Sequence, residues 1–436
     1  MSNVDQLIPQ PSRTRWVILA LLFAISVVTY IDRVNISVTA RQMMPAFGLT
    51  DQQMGHIFSA FVLGYALCQI PGGWLGDRWG ARLVLTGAVL WWSGFTALTA
   101  MAATLPIVAM TGVLGSLILV RFFLGVGEAV ALPNFNRAVA DWLPARERGL
   151  GIGIAIGGIG VGSALTPPLT AWIMVNWGWQ TVFYLSAALG VGIALVWWWY
   201  ARDQPEEHPA VNQAERMVIR GTPAPAFPTR APVPWRTFAR TPTVWWIVLS
   251  YGCLGYVAYV FMSWFYLYLV NVRGFDVLRG GLFASAPFLA MLLFCPLGGW
   301  ATDQLAARHG LTKGRSFVGM AGMILAGLSI AVGGAVGSPA LAIVCLSLGA
   351  GWLYFTVGAY WSSTTDLSKD HAGTLSGLMN TGANLGGSLS PTLTPWLADQ
   401  WGWPVSLGVA AAIAILGGLL WALIKPGDGL QHERDG

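Results

Sequence analysis

Residues 166–179 read TPPLTAWIMVNWGW, and residues 390–403 read SPTLTPWLADQWGW. Seven of the fourteen positions agree at a constant offset of 224: Pro167, Leu169, Thr170, Trp172, Trp177, Gly178 and Trp179 return as Pro391, Leu393, Thr394, Trp396, Trp401, Gly402 and Trp403. A second pair has nearly the same offset. Gly72-Gly73-Trp74 with Asp77 recurs as Gly298-Gly299-Trp300 with Asp303, 226 residues later. Shared composition does not give this much agreement, even in a chain with 54 Gly and 23 Trp. The chain is built from two related halves.

What the halves are made of follows from charge. The 436 residues carry only 24 Lys+Arg and 19 Asp+Glu, 10% of the chain, against roughly 25% in soluble domains. With 55% hydrophobic residues and a mean hydropathy of +0.60, a water-soluble fold could not cover its apolar surface, and disorder is excluded as well. Each bilayer-spanning helix needs about 20 apolar residues. Runs of that kind lie near 16–40, 55–76, 83–103, 107–138, 147–174 and 179–200, then near 243–271, 280–301, 314–336, 339–364, 372–398 and 403–424. Between the two sets of six lies a polar, Pro-rich stretch. The expected organisation is a six-helix bundle over 1–201, a linker over 202–241 and a second bundle over 242–436. The N-terminus has no A-x-A-like cleavage site before the first run, so that run reads as an uncleaved helix.

Basic residues set the expected orientation. One side carries Arg13, Arg15, Arg78, Arg82, Arg146, Arg148, the linker arginines, Arg308, Lys313, Arg315, Lys369 and Lys425; the other carries Arg41, Arg273 and Arg279. The positive-inside rule places both termini and the linker in the cytoplasm of a plasma (inner) membrane protein. The net charge of +5 is spread over short loops and is not a nucleic-acid footprint. Cys68, Cys253, Cys295 and Cys345 sit singly in apolar runs and read as small buried hydrophobes. The five His are scattered, and no G-x-x-x-x-G-K-[ST] motif is present. Neither a metal nor a cofactor is expected, and the chain is not expected to use ATP itself.

Four charges fall deep inside apolar runs: Asp32 and Arg33 in span 1, Arg121 and Glu128 in span 4. An Arg or Asp at a helix centre costs about 2.5–3.5 kcal/mol on insertion scales. Arg121 and Glu128 are two turns apart and share a face, whereas Asp32 and Arg33 point about 100° apart. A functional reading assigns the arginines to an anionic substrate, because a guanidinium grips a carboxylate bidentately, and the carboxylates to protons. The alternative is two buried ion pairs that lock helices 1 and 4 together. The second half has no charge at mid-span.

An even number of spans separates the two repeats, so they are parallel, and two parallel six-helix repeats is the layout of the major facilitator fold. Gly73-Trp74-Leu75-Gly76-Asp77-Arg78-Trp79-Gly80-Ala81-Arg82 resembles the loop 2–3 signature of that superfamily. Tyr30-Ile31-Asp32-Arg33-Val34-Asn35 and Arg121-x-x-x-Gly125-x-Gly127-Glu128-x-x-x-x-Pro133 are similar to motifs of its anion:cation symporter family, which includes hexuronate and galactonate transporters. The resemblance implies carboxylate binding by Arg33, proton exchange at Asp32 and Glu128, and Arg121 as their charged partner. It further implies substrate contacts from Tyr30 and Tyr65, and in the second half from Trp361, Asn380 and Asn384. Asp77, Arg78 and Arg82 would form an interdomain latch at the cytoplasmic gate. Span 7 departs from the family, with Trp264-Phe265-Tyr266-Leu267-Tyr268-Leu269 where many relatives have Trp-x-Pro-x-Tyr-Leu.

The expected protein is thus an all-α integral membrane protein of twelve transmembrane helices, acting as a monomer and importing a small organic anion, a hexuronate or aldonate, with protons. Carriers or exchangers of aromatic, dicarboxylic or amino-acid-derived acids would use the same Arg33. A membrane-embedded enzyme would need a catalytic cluster that these spans do not show. A nutrient sensor would need a signalling domain larger than the linker.

Overall fold

The computed structural model describes residues 10–144, 147–220, 235–368 and 372–428. Its long helices are α1 (Thr14–Phe47), α2 (Asp51–Trp79), α3 (Ala81–Ala100), α4 (Val108–Trp142, interrupted after Glu128), α5 (Arg148–Trp177) and α6 (Trp179–Tyr200). After the linker come α7 (Pro242–Ser263), α8 (Val277–His309), α9 (Leu311–Ala335), α10 (Pro339–Leu367), α11 (Ala372–Trp401) and α12 (Trp403–Leu420). Among the described residues there is no strand.

Among the described residues, ten of these helices are long and apolar enough to cross a membrane. α2 and α11, of 29 and 30 residues, pack against each other along the seam between the first six helices and the last six. The buried Asn384, Ser390 and Thr394 of α11 thus face protein rather than lipid. Elsewhere large apolar side chains such as Leu293, Trp199 and Phe317 stand exposed on the outer surface, as a lipid-facing surface requires.

The sequence repeat reappears in the packing. α1 lies on α5, α2 on α4 and α3 on α6; correspondingly α7 lies on α11, α8 on α10 and α9 on α12. Across the seam, α2 meets α11 and α5 meets α8, again a related pair. The turns match as well. Gly178 between α5 and α6 has φ 82°, and Gly402 between α11 and α12 has φ 85°, left-handed conformations that favour glycine and allow the reversal in one residue.

The polar, Pro-rich linker does not span, and part of it folds onto the first half. Pro205–Glu207 forms a 3₁₀ turn, and helices run over Gln213–Arg220 and Trp235–Arg240. Glu215 is fully buried and accepts hydrogen bonds from the backbone N–H of Thr14 (3.2 Å) and Arg15 (3.1 Å) and from the Ser12 hydroxyl (2.5 Å). A carboxylate over the first N–H groups of a helix is favoured by the dipole, so this linker residue caps α1. Asn212 adds bonds to Ser12 and Gln10. The apolar scan missed this because the attachment is made by a polar cap rather than a hydrophobic stripe.

Candidate functional site

Near the middle of α1, Asp32 is fully buried and Arg33 is 9% exposed; Glu128 and Arg121 of α4 are equally buried. α2 lies between these two helices and approaches α4 at backbone distance. A Cβ on Gly125 would stand 2.1 Å from the Phe61 carbonyl oxygen, so only glycine allows the contact. The result is that both guanidiniums stack on one ring: Arg33 and Arg121 each lie 5.1 Å from the centroid of Phe61. Arg33 also covers Tyr65 at 4.4 Å and Tyr30 at 4.7 Å. Desolvated cation–π contacts of this kind are worth about 2 kcal/mol.

The four charges are unequally satisfied. Arg33 gives Glu128 Oε2 two hydrogen bonds, from Nη2 at 2.9 Å and Nε at 3.2 Å, and its Nη1 reaches the Tyr30 hydroxyl at 3.3 Å. Every nitrogen of that guanidinium is therefore engaged. Asp32 and Arg121 form no such closed pair. The Trp92 indole nitrogen and the Thr96 hydroxyl on α3 face Asp32, in looser geometry than the Arg33–Glu128 bonds. Nε and Nη1 of Arg121 and Glu128 Oε1 are buried without a protein hydrogen-bond partner, which is uncommon for buried polar groups. A cavity of about 20 Å³ opens between Arg33 and Arg121, lined also by Ser37, Phe58, Tyr259 and Ser263. That is room for about one water.

The second-half candidates lie around this cluster without touching Arg33. Asn380 donates to Gln69 Oε1 across the seam at 3.1 Å, and Asn384 donates to the Asn380 carbonyl at 2.9 Å. Trp361 donates to the Tyr251 hydroxyl at 3.1 Å. Sequence reasoning missed Phe61, Gln69 and Tyr259. The first two could have been found one turn either side of Tyr65 on α2; Tyr259 sits in an all-apolar context that offers no signal.

The seam is bridged at the end opposite the termini. There His56 and Ser59 of α2 meet Thr392 of α11 at 3.3 and 2.9 Å, and Ser285 of α8 donates to the Ala164 carbonyl of α5. Phe58 and Trp264 stack edge-on over the cavity with centroids 5.5 Å apart. Of the expected latch, Arg82 bonds the Trp198 carbonyl of the first half (2.7 and 3.1 Å) and its backbone N–H bonds Asp203 of the linker (2.8 Å), so neither contact reaches the second half. Arg78 lies over Trp74, and the side chain of Asp77 lies outside the described residues. In the second half Arg315 bridges Asp303 (2.8 Å) and Asp366 (3.0 Å).

Two parallel six-helix halves that meet at a seam, with charges buried mid-helix in the first, are the build of a secondary transporter. The family model of the Major Facilitator Superfamily matches residues 22–391 and 364–435. The chain belongs to that superfamily. Its relatives include a D-galactonate transporter of Escherichia coli, 31% identical over 95% of this chain and 96% of the relative. A probable sulfoacetate transporter of Cupriavidus necator is 33% identical over 96% and 95%. Hexuronate and probable galactarate/D-glucarate transporters of Bacillus subtilis match at 28% and 30%. This membership of the Major Facilitator Superfamily is thus of the anion:cation symporter-like kind, and the chain is a multi-pass membrane transporter, not an enzyme. The fold agrees with that of a bacterial homologue of the human lysosomal transporter Spinster, in an inward-facing and unoccupied conformation: TM-score 0.77, 20% identity, 97% of this chain and 98% of that one. It agrees also with that of a D-xylose-proton symporter: TM-score 0.76, 14% identity, 94% of this chain and 98% of that one.

Proposed function

We propose that this transporter is a proton-coupled symporter that imports an organic carboxylate, a sugar acid such as a hexuronate or aldonate, by alternating access. The observation that carries the reading is the engagement of Arg33. All of its nitrogens are held by Glu128 and Tyr30, so a substrate carboxylate gains the guanidinium only when Glu128 releases it. A proton on Glu128 effects that release, and binding of the anion is thereby tied to protonation. Asp32, buried beside the cluster and faced by Trp92 and Thr96, is the second proton site, and Arg121 the charge that both carboxylates sense. Tyr30 and Tyr65 flank the anion; Trp361, Asn380 and Asn384 face its hydroxyls as the halves 1–201 and 242–436 close around it, with 202–241 joining them.

The membrane is the plasma (inner) membrane with both termini in the cytoplasm, the chain acts as a monomer, and the end bridged by His56, Ser59 and Thr392 faces outward. Asp77, Arg78 and Arg82 then act as a cytoplasmic latch in the outward-open state, when the termini ends of the halves meet. The sugar-acid transporters among the relatives support the substrate class. Arg121, with unpartnered nitrogens on the same cavity as Arg33, favours a second reading in which the substrate carries two acid groups, as in the sulfoacetate and galactarate relatives.

The test is uptake of labelled D-galactonate, D-glucuronate, D-glucarate and sulfoacetate into proteoliposomes under an imposed pH gradient. Symport requires accumulation that a protonophore abolishes; accumulation that persists overturns proton coupling. Two protons per monoanion move a net charge, worth about 2.3 kcal/mol per 100 mV, so dependence on membrane potential reads the stoichiometry.

A further inference from the structure

Three basic residues lie at the end opposite the termini, and two of them are in use. Arg273 donates to the Tyr268 hydroxyl (2.7 Å) and to the carbonyls of Val336 (2.7 Å) and Gly333 (3.1 Å), closing the end of α9. Arg279 pairs with Asp276 at 3.4 Å. The third, Arg41, is exposed and makes no ion pair or hydrogen bond among the described residues. It lines a pocket of about 280 Å³, together with Ala40, Met44, Pro45, Gly48 and Leu49 of the first half and Asn271 of the second. That volume lies near the lower bound of small-molecule sites, about 300–1,000 Å³.

The pocket is placed and shaped for more than packing. Span 7 breaks at Trp264, continues as a short turn over Phe265–Leu267 and ends in a π turn, Tyr268–Val272, that carries Asn271. Single π turns recur at functional sites because they re-aim a side chain that a regular helix would point elsewhere. The Tyr266 hydroxyl in the same segment is buried without a partner and within electrostatic range of Arg41. On α1, Arg33, Ser37 and Arg41 recur every four residues. They fall within an arc of about 80° and span about 12 Å along the axis. Arg33 and Ser37 line the central cavity, and Arg41 lines the outer pocket on the far side of the Phe58–Trp264 pair.

We propose that Arg41 and Asn271 form an outer anion-binding station that captures a small organic carboxylate before the seam opens and hands it along α1 to Arg33. The guanidinium supplies the charge and the Asn271 amide, from the opposite half, a hydrogen bond. Passage inward rests on the transport reading; capture does not. An unpaired charge over a concave site raises anion encounter by about tenfold or more, an effect that salt screens.

The experiment uses the purified full-length chain carrying Asn271→Cys, with Met44→Cys on the other wall as a second probe and the unsubstituted chain as background for its four native cysteines. A negatively charged methanethiosulfonate should label either probe about tenfold faster than a positively charged one. The preference should collapse in Arg41→Gln and survive in Arg41→Lys. Excess D-galactonate, D-glucuronate or sulfoacetate should slow labelling only when a cation stands at position 41. Equal rates for the two reagents, a preference indifferent to Arg41→Gln, or no protection by any of the three acids would overturn the station. In proteoliposomes Arg41→Gln should raise KM about tenfold with kcat preserved, more at low salt than at high. A chain that accumulates no anion at all would refute the symport reading while leaving the labelling result standing.

Discussion

Replacing Glu128 by Gln tests the coupling most directly. The Arg33–Glu128 contact consists of two hydrogen bonds, at 2.9 and 3.2 Å, between charged groups out of contact with water. At an effective dielectric of about 20, unit charges about 4 Å apart attract by about 4 kcal/mol, and a hydrogen bond to a charged group is worth about 1.5–3 kcal/mol net. The amide in Glu128→Gln would keep the shape but release most of that attraction, leaving Arg33 to the substrate. Anion affinity should therefore rise by about 1.5–3 kcal/mol, about tenfold to a hundredfold, and lose the pH dependence that Glu128 sets, keeping only that of Asp32. Equilibrium binding of a labelled sugar acid between pH 5 and 8 reads both effects. Accumulation driven by a pH gradient should fall while counterflow persists, because the proton site that gates Arg33 is gone but the anion site remains. Two results would refute the reasoning: weaker anion binding in Glu128→Gln, which would make the pair purely architectural, or undiminished gradient-driven accumulation.

Arg33→Lys keeps the charge but loses the planar fork and its stacking on Tyr30, Phe61 and Tyr65; uptake should fall about tenfold to a hundredfold, and normal uptake would remove the bidentate role. Gly55→Val drives a side chain into the Pro391 carbonyl, 2.3 Å from where a Cβ would sit. Overpacking of about 1–3 kcal/mol should open that end, so a Ser37→Cys reporter in the central cavity should be labelled several-fold faster in the variant than without it. Asp51, in the first turn of α2 outside the apolar run, is held above the usual carboxylate range by burial and then by the charge of Asp399 on α11. Closure of this end is therefore favoured below the ordinary value of 3.8 and weakens as pH rises through the raised one. The same Ser37→Cys reporter should show that pH dependence in the parent, and Asp51→Asn should abolish it.

Much of this could be read from the sequence because a bilayer makes charge conspicuous. Asp32, Arg33, Arg121 and Glu128 stood out by position alone, and the structure brings them together around Phe61. The halves were legible because the repeat kept its tryptophans and prolines. What escaped were contacts that hydropathy does not encode. Tyr259 reaches the cavity from a run of apolar neighbours, the polar side chains of α11 become intelligible only once it is seen against α2, and Glu215 caps a helix 200 residues away. The break at Trp264 had a trace in the unusual run after Ser263, but nothing in the one-dimensional pattern specifies a π turn.

The reduced apolarity of α11 also bears on how the chain is made. A helix leaves the translocation channel for lipid according to its own transfer free energy, and α11, with Asn380, Asn384, Ser390 and Thr394 along its length, is poorly able to do so singly. It emerges with α7 and α2 already in place to receive it. Biosynthesis is then not a string of twelve independent insertions. One is assisted, so a chain lacking α7 would strand a helix that the full-length chain holds in place.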